Sequence, residues 1–495
     1  MGEFLPSELV ARKCCTQVPR LYDDENRAFV SFANIKTPRN FTPLLLPSSQ
    51  TSLGQAPILT GQTRMSGGVV RQRRPPTTSE SLSSQDPSMI IANEKAAFNP
   101  YPAELQAIMN VATADESLAW LSCWNQLSDR PTPLYSLPDM AARLDVGSIS
   151  VKDESVRSPL GSFKALGAPI ALIRLILRRW PDESIDPRDL VAGKYADLVK
   201  GFTVVSATDG NHGRALAAAA QSIGCACTIV LHANVSQERE AAIAAYGARI
   251  VRIVGNYDES VEEAARLAST HGWSVVADTS YDGYEDIPRD VMQGYGAIAA
   301  EAIAQTRANS SGECPYTHVF LQGGVGGLAA GVVSYIWEIY GARRPKFIVV
   351  EPEQADCLFQ SAKHGRPAKA TGSVDSVMAG LACGETSPLA WRFLQESVDL
   401  FMTISDDDAV TAMHMLARGS ERDVPIVSGE SGAAGLAGLA VLREHKGLLA
   451  EIGVDSNSRV LLISTEGATA PKAFQQLVGV APESIVVRQA EWLAR

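Results

Sequence analysis

The chain has 495 residues, 45% of them hydrophobic, so it can bury a large core, and its length predicts more than one structural unit. Its formal net charge of −11 argues against a surface for nucleic acid or an anionic membrane, which needs clustered Lys and Arg. Its eight cysteines form no C-x-x-C pair and no apolar stretch has the length of a transmembrane helix, so we expect reduced thiols, no metal site and no membrane span.

Residues 1–90 differ in composition from the rest of the chain. Tracts such as 47–52 and 72–79 are polar, contain Pro and show no hydrophobic periodicity. Such segments are typical of disordered extensions, and we interpret 1–90 in this way. A transit peptide for an organelle is the alternative, because residues 35–78 contain no acid, but Asp-Asp-Glu at 23–25 argues against it. We therefore predict a cytoplasmic protein.

From about residue 96, strand-like apolar runs alternate with Ala-rich helical stretches. The predicted strands are 202–207, 227–231, 249–254, 318–321, 347–351 and 460–464, and the helices between the first three are 213–222 and 237–246. Strands and helices that alternate at these lengths predict parallel sheets with helices on both faces. The fold class is therefore α/β.

The first motif with chemical meaning is a lysine that follows a loop of Ser, Pro and Gly. Lys164 opens a predicted helix, whose positive end disfavours an ammonium, so we expect the neutral amine that Schiff-base chemistry requires. Taken alone, a lysine on the surface is the plainer interpretation. Lys152 is the competing lysine, but it lies in the charged run 152–154 and we expect it to be solvated.

A second motif, residues 206–214, follows a predicted strand and opens a helix. Ligands of open α/β sheets bind beyond the carboxyl ends of the strands. Asn211 can hydrogen-bond a ring oxygen there, and Asp209 adds a carboxylate. An ordinary turn with a helix cap is the alternative. His212 by itself is expected to be a packed or solvated histidine.

The third motif is Gly-Gly-Val-Gly-Gly at 323–327, between the strand 318–321 and a helix. Successive backbone N–H groups at a helix start can hold a phosphate. The loop meets neither the spacing of a dinucleotide-binding motif nor the Lys-Ser/Thr ending of a Walker loop.

Two further strand ends carry polar side chains. Asp278 follows the predicted strand 274–276, a position that suits a carboxylate in a binding loop, although a solvated turn is equally compatible. Ser464 and Thr465 end the last strand with hydroxyls that suit a neutral partner for a pyridine nitrogen, and a plain turn is again the alternative.

Together, these motifs resemble the fold-type-II enzymes that use pyridoxal 5′-phosphate (PLP), and among them most of all the diaminopropionate ammonia-lyase family. The resemblance spans roughly residues 96–477 and depends on the segments 207–214, 278–288, 292–295 and 428–433. Serine and threonine dehydratases usually have a serine-containing asparagine loop where this chain has Thr208 and Asp209. The loop 156–162 departs from the family pattern, in which an aromatic residue and an asparagine are more usual.

The resemblance implies two α/β domains built on parallel sheets, with PLP in the cleft between them, and a homodimer. It divides the chain into an extension at 1–90, the start of the large domain at 91–185, a smaller domain at 186–295 and the rest of the large domain at 296–495.

It also implies roles for single residues. Lys164 would hold PLP covalently, Asn211 would contact the ring oxygen, and Ser464 or Thr465 would face the ring nitrogen. The phosphate would be held by Gly323, Gly324, Val325, Gly326 and Gly327. Asp209 and Asp278 would be the acid/base groups for the D- and L-enantiomers of the substrate, respectively.

The activity implied is α,β-elimination of 2,3-diaminopropionate, a small amino acid, to pyruvate and ammonia. A serine/threonine dehydratase or another PLP-dependent β-eliminating lyase is the alternative enzyme. A PLP-binding regulatory protein without activity is the alternative from another class.

Overall fold

The computed structural model describes residues 90–208, 210–255, 257–306 and 312–495. Asp209 and all but the last residue of the predicted extension 1–90 lie outside the described residues. Within them, no helix combines the length and the apolar character needed to cross a membrane.

The described residues form two sheets. The strands are β1 Ile90–Ala92, β2 Leu134–Ser136, β3 Ser148–Asp153, β4 Thr203–Ala207, β5 Ala226–Leu231, β6 Arg249–Arg252, β7 Ser274–Val275, β8 His318–Gln322, β9 Lys346–Pro352, β10 Val398–Ile404 and β11 Arg459–Ser464. The larger sheet has seven strands in the order β1-β10-β9-β8-β11-β3-β2, and the smaller has four in the order β6-β5-β4-β7.

Helices connect and cover these strands. They are α1 Ala103–Gln106, α2 Val111–Leu121, α3 Pro138–Arg143, α4 Ala168–Arg179, α5 Pro187–Val191, α6 Ala196–Val199, α7 Asn211–Ile223, α8 Gln237–Ala244, α9 Tyr257–His271, α10 Asp286–Gln305, α11 Gly327–Tyr340, α12 Cys357–His364, α13 Pro388–Leu394, α14 Asp406–Arg418, α15 Ala434–Glu444, α16 Lys446–Ile452, α17 Pro471–Val478 and α18 Pro482–Leu493. Short 3₁₀ turns lie at Glu154–Val156, Phe163–Leu166, Gly341–Arg343 and Ala379–Leu381.

The predicted α/β class is confirmed, and the inner part of the large sheet is parallel as expected. Strands β10, β9, β8, β11 and β3 run parallel, and every residue of β8 and β10 is buried, which requires helices on both faces. The outer strands β1 and β2 are antiparallel to their neighbours. Their three residues each are too few to give the sequence a strand signal.

The small sheet is wholly parallel and takes its strands from residues 203–275 alone. The predicted strands and helices of this segment are present, with their ends slightly shifted. The domain limits at 186 and 295 stay predictions.

This topology brings together the loops that carry the motifs. The parallel strands β4, β7, β8 and β11 end just before the asparagine loop, Asp278, the glycine loop and Thr465. Since parallel strands end at the same edge of a sheet, each sheet presents its motif loops on one side.

Lys152, which the sequence predicted to be solvated, is fully buried. Its Nζ donates to Oε2 of Glu301 at 2.6 Å, to the carbonyl of Thr132 at 2.7 Å and to Oε1 of Gln305 at 2.9 Å. Burial lowers the pKa of Lys152, and nearby carboxylates, among them Glu301, oppose that shift. The prediction was wrong because the side-chain partners, Glu301 and Gln305, lie on α10, far along the chain.

Arg157 completes this buried charge cluster. It donates to both carboxylate oxygens of Glu154 and to Oε1 of Glu301, the latter at 2.7 Å. The cluster therefore holds the start of the loop that leads to Lys164 against α10. Buried charges are tolerated only when each has a partner, so removal of one member leaves another uncompensated.

We expect Glu301→Gln to lower the free energy of unfolding by about 3–5 kcal/mol, the usual effect of breaking a buried pair. Glu263→Gln is the matched control, because Glu263 pairs with Arg266 on the surface of α9, where solvent screens the pair and leaves it little effect on stability. Urea unfolding measures both. Equal, small losses for the two variants would contradict a structural role for the cluster.

Candidate active site

A cavity of about 960 Å³ is lined by the loops at the strand ends of both sheets. Of the residues proposed from the sequence, those that line it are Lys164, Asn211, Asp278, Gly323, Gly324, Val325, Gly327 and Thr465. The structure thus brings together motifs that are spread over about 300 positions of the chain.

Lys164 and Asp278 form an ion pair in this cavity. Nζ of Lys164 lies 2.6 Å from Oδ2 of Asp278, and only about a fifth of either side chain is exposed. Burial alone would lower the pKa of Lys164, but the carboxylate of Asp278 outweighs it and raises the pKa above its usual range. Burial alone would raise the pKa of Asp278, and Lys164 and then His212 lower it below its usual range.

The expectation that a helix end favours a neutral amine at Lys164 is corrected, because the carboxylate of Asp278 beside it favours the ammonium. Lys164 lies in the 3₁₀ turn Phe163–Leu166 and not at the start of α4. The weak field of a helix end is replaced there by a full charge at hydrogen-bond distance, which holds the lysine as an ammonium.

His212 belongs to the site, although no role in it was predicted for this residue. It is 4% exposed and lines the cavity. Its Nε2 lies 3.0 Å from the carbonyl of Val276, which can only accept, so Nε2 carries a proton. Nδ1 then faces Oδ2 of Asp278 at 3.7 Å. Its position after an Asp-Gly-Asn run at a strand end is the one signal that could have indicated it.

The glycine loop forms the predicted cradle, but not all its amides are available. The amide of Gly323 donates to Val350 and that of Gly326 to Gly323. Gly324, Val325 and Gly327 also line the cavity, and among the described backbone hydrogen bonds outside the helices and strands their amides are not donors.

Two of these glycines are needed for their backbone shape. The φ angles of Gly324 and Gly326 are +60° and +98°, where a side chain would be strained. Gly326 precedes α11 as its N-cap and does not line the cavity, so its predicted phosphate contact is corrected to a role in shaping the loop.

The structure also distinguishes the two hydroxyls at the end of β11. Ser464 is fully buried, and its hydroxyl donates to Oγ of Ser428 at 2.8 Å, outside the cavity lining. Thr465 lines the cavity. The alternation of side chains along the strand end accounts for this difference, and it leaves Thr465 as the residue able to face a ring nitrogen.

These residues fit PLP. The cavity offers a lysine, a glycine cradle at the start of α11, the Asn211 amide and the Thr465 hydroxyl, which match an aldehyde, a phosphate and the polar atoms of a pyridine ring. Within the described ranges, no group of three or more His, Cys, Asp or Glu side chains could hold a metal ion.

Comparisons with known proteins identify the family. The model of the family "Pyridoxal-phosphate dependent enzyme" matches residues 126–466. The diaminopropionate ammonia-lyase of Escherichia coli K12 is 39% identical over 353 residues, which cover 70% of this chain and 87% of the relative. The chain belongs to the diaminopropionate ammonia-lyase family. The enzyme of that name from Salmonella typhimurium LT2 is 38% identical over 357 residues, with the same coverage.

Solved structures of the diaminopropionate ammonia-lyase family agree with this assignment. The selenomethionine holoenzyme from Escherichia coli superposes with a TM-score of 0.71 at 36% identity, covering 79% of this chain and 96% of that one. The complex of the same enzyme with an aminoacrylate-PLP azomethine intermediate gives 0.69 at 35%, with equal coverage. PLP is therefore the cofactor, and the predicted fold and family are confirmed.

We expect borohydride reduction of the PLP-loaded protein to fix the cofactor on Lys164. Lys152 is held by three acceptors in the buried cluster, away from the cavity, and cannot reach the cofactor. Peptide mass spectrometry locates the modified lysine. Reduced cofactor on Lys152, or on no lysine, would contradict the assignment of the site.

Proposed function

We propose that this chain is a PLP-dependent ammonia-lyase that converts 2,3-diaminopropionate to pyruvate and two molecules of ammonia. The observation that carries the proposal is the contact of Lys164 with Asp278 in the cavity, at 2.6 Å. This contact places a carboxylate beside the amine that would hold PLP. The carboxylate is therefore within reach of a substrate bound at the same point. The 39% identity to the Escherichia coli enzyme names the substrate class.

In this proposal the chain's own residues hold PLP at four points. Lys164 supplies the covalent link, the amides of Gly324, Val325 and Gly327 hold the phosphate, Asn211 contacts the ring oxygen and Thr465 contacts the ring nitrogen. When bound, PLP supplies an electron sink for the bond between Cα and its proton.

Asp278 then acts as the general base. Its low pKa depends first on the ammonium of Lys164, so loss of that positive charge makes the carboxylate more basic. A substrate amine that takes the place of the lysine amine brings Cα close to the same carboxylate. Asp278 can accept the Cα proton there, and Nδ1 of His212 lies 3.7 Å from its Oδ2.

The leaving group suits a diamino acid. A β-ammonium already carries the proton with which it departs as ammonia, so the site has to hold the group and need not protonate it. A β-hydroxyl must be protonated as it leaves. The diamino acid is thus the easier substrate for a site whose nearest carboxylate is ionised.

The two enantiomers call for two bases. If the carboxylate and leaving group are held alike, the Cα protons of the D- and L-forms point to opposite faces of the cofactor, and one base reaches only about 2.6–3.2 Å. We propose Asp278 for the L-form and Asp209, which lies outside the described residues, for the D-form.

A dehydratase activity is the second candidate. The Escherichia coli family member has been solved in complex with D-serine, so the hydroxy amino acid is a ligand to test here. The L-threonine dehydratase of Salmonella typhimurium is more distant, at 28% identity over 308 residues. The cavity with Lys164 and Asp278 in contact argues against a binding protein without activity.

We further propose a homodimer that acts in the cytoplasm. Both stay predictions from the family resemblance and from the composition of residues 1–90.

The function is tested by measuring the keto acid that each candidate substrate releases. The product is pyruvate from D- and L-2,3-diaminopropionate and from D- and L-serine, and 2-oxobutyrate from L-threonine. We expect kcat/KM for a diaminopropionate enantiomer to exceed that for serine and threonine. Asp278→Asn should lower kcat for the L-diamino acid by about 10²–10⁴-fold and spare the D-form, and Asp209→Asn should do the reverse.

Retention of PLP, read from its absorbance, is the control for both variants. A preference for threonine would overturn the proposed substrate. Equal losses for both enantiomers in each variant would overturn the two-base assignment, since one carboxylate would then only orient the substrate.

A further inference from the structure

Two buried glutamates, which the reaction above does not use, lie side by side at the wall of the cavity. Glu430, in the loop between α14 and α15, is 5% exposed, and Glu466, just after β11, is 4% exposed. Glu466 also lines the cavity. Burial and then the carboxylate of Glu466 raise the pKa of Glu430 to about 7. Two adjacent buried carboxylates repel each other, so such a pair favours binding one proton.

The side chain of Glu466 fixes the orientation of Asn211. Nδ2 of Asn211 donates to Oε2 of Glu466 at 2.5 Å. An ionised carboxylate only accepts, so the amide must turn its nitrogen, and not its oxygen, toward Glu466. One N–H of Asn211 is used in this contact, and the other remains for a ligand in the cavity.

The backbone of Glu466 is held equally tightly. It pairs in an antiparallel bridge with Ser162, and its carbonyl accepts from the amide of Gly429 at 2.9 Å. Its neighbour Thr465 accepts from the amide of Phe163 at 3.0 Å. Glu466 therefore contacts the lysine loop through its backbone and the asparagine loop through its side chain.

Arg239 ties the pair to the other side of the cavity. It lies on α8, next to the small sheet, and its Nη2 is 3.4 Å from Oε1 of Glu430. Asn211 opens α7 on that same side, whereas Glu466 follows β11 of the large sheet and Glu430 lies in the loop between α14 and α15. The polar groups that face the two glutamates are thus Arg239, Asn211 and the hydroxyl of Thr469. This hydroxyl lies 3.4 Å from Oε2 of Glu466.

We propose that Glu466 is a positioning residue for the cofactor, which holds the Asn211 amide so that its second N–H points to the ring oxygen of PLP. The inference rests on the proposed site in one respect, the contact of Asn211 with PLP. It concerns cofactor binding and is independent of the substrate.

A double-mutant cycle on PLP affinity tests this coupling. We expect Glu466→Ala and Asn211→Ala each to weaken PLP binding roughly tenfold, the value of one charge-assisted hydrogen bond. Because they act through one contact, the double variant should be little weaker than either single variant. Equilibrium dialysis of PLP gives the dissociation constants without any substrate.

Glu466→Gln is the conservative variant and retains an acceptor for the Asn211 amide, so it should bind PLP more tightly than Glu466→Ala. Its PLP absorbance should still change, because an amide can turn either way and no longer fixes Asn211. Glu385→Gln is the matched control, since Glu385 pairs with Lys369 at the exposed mouth of the cavity. We expect it to keep the wild-type affinity and spectrum.

Losses that multiply to about a hundredfold in the double variant would overturn the inference, and so would a Glu466→Ala protein with unchanged PLP affinity. Should Glu466→Ala fail to fold, an unaltered affinity and spectrum in Glu466→Gln would overturn it equally. A chain that binds PLP with this coupling but makes no pyruvate from diaminopropionate would refute the proposed function and leave the inference standing.

Discussion

The half-buried ion pair of Lys164 and Asp278 controls the chemistry of the site. Each residue sets the charge of the other: the carboxylate keeps the lysine protonated, and the ammonium keeps the carboxylate ionised. The neutral amine that PLP needs is therefore obtained only by separating the pair. The same separation releases the carboxylate as a base, so cofactor attachment and preparation for proton transfer are one event.

The fold delivers this pair from two distant segments. Lys164 follows β3 of the large sheet and Asp278 follows β7 of the small sheet, so the cavity between the strand ends is where they meet. Buried charged residues hold the loops that line this cavity in place. The cluster around Glu301 anchors the start of the lysine loop, and Glu466 connects that loop to Asn211. Charged groups are thus buried here in paired sets, which fix geometry more than they add stability.

Features that depend on residues close together in the chain could be predicted from the sequence. The parallel strands, the glycine loop and the positions of Lys164 and Asp278 close to strand ends follow from local patterns, whereas the roles of these two residues come from the family resemblance and stay proposals. Prediction from the sequence misjudged Lys152, which meets Glu301 across 149 positions, and it did not reveal the contact of Asn211 with Glu466 across 255. Whether Ser464 or Thr465 faces the cavity depends on which way the strand end turns, and composition does not encode that.

The rate at which PLP attaches to the cofactor-free protein, measured against pH, shows whether Asp278 controls the charge of Lys164. Attachment requires a neutral Lys164, whose pKa Asp278 raises, so the wild-type rate should increase as the pH rises above neutrality. In Asp278→Asn the pKa of the lysine falls, and we expect faster attachment at neutral pH with the profile displaced to lower pH. Superimposable profiles for the two proteins would show that Asp278 does not control the charge of Lys164, and would contradict the account.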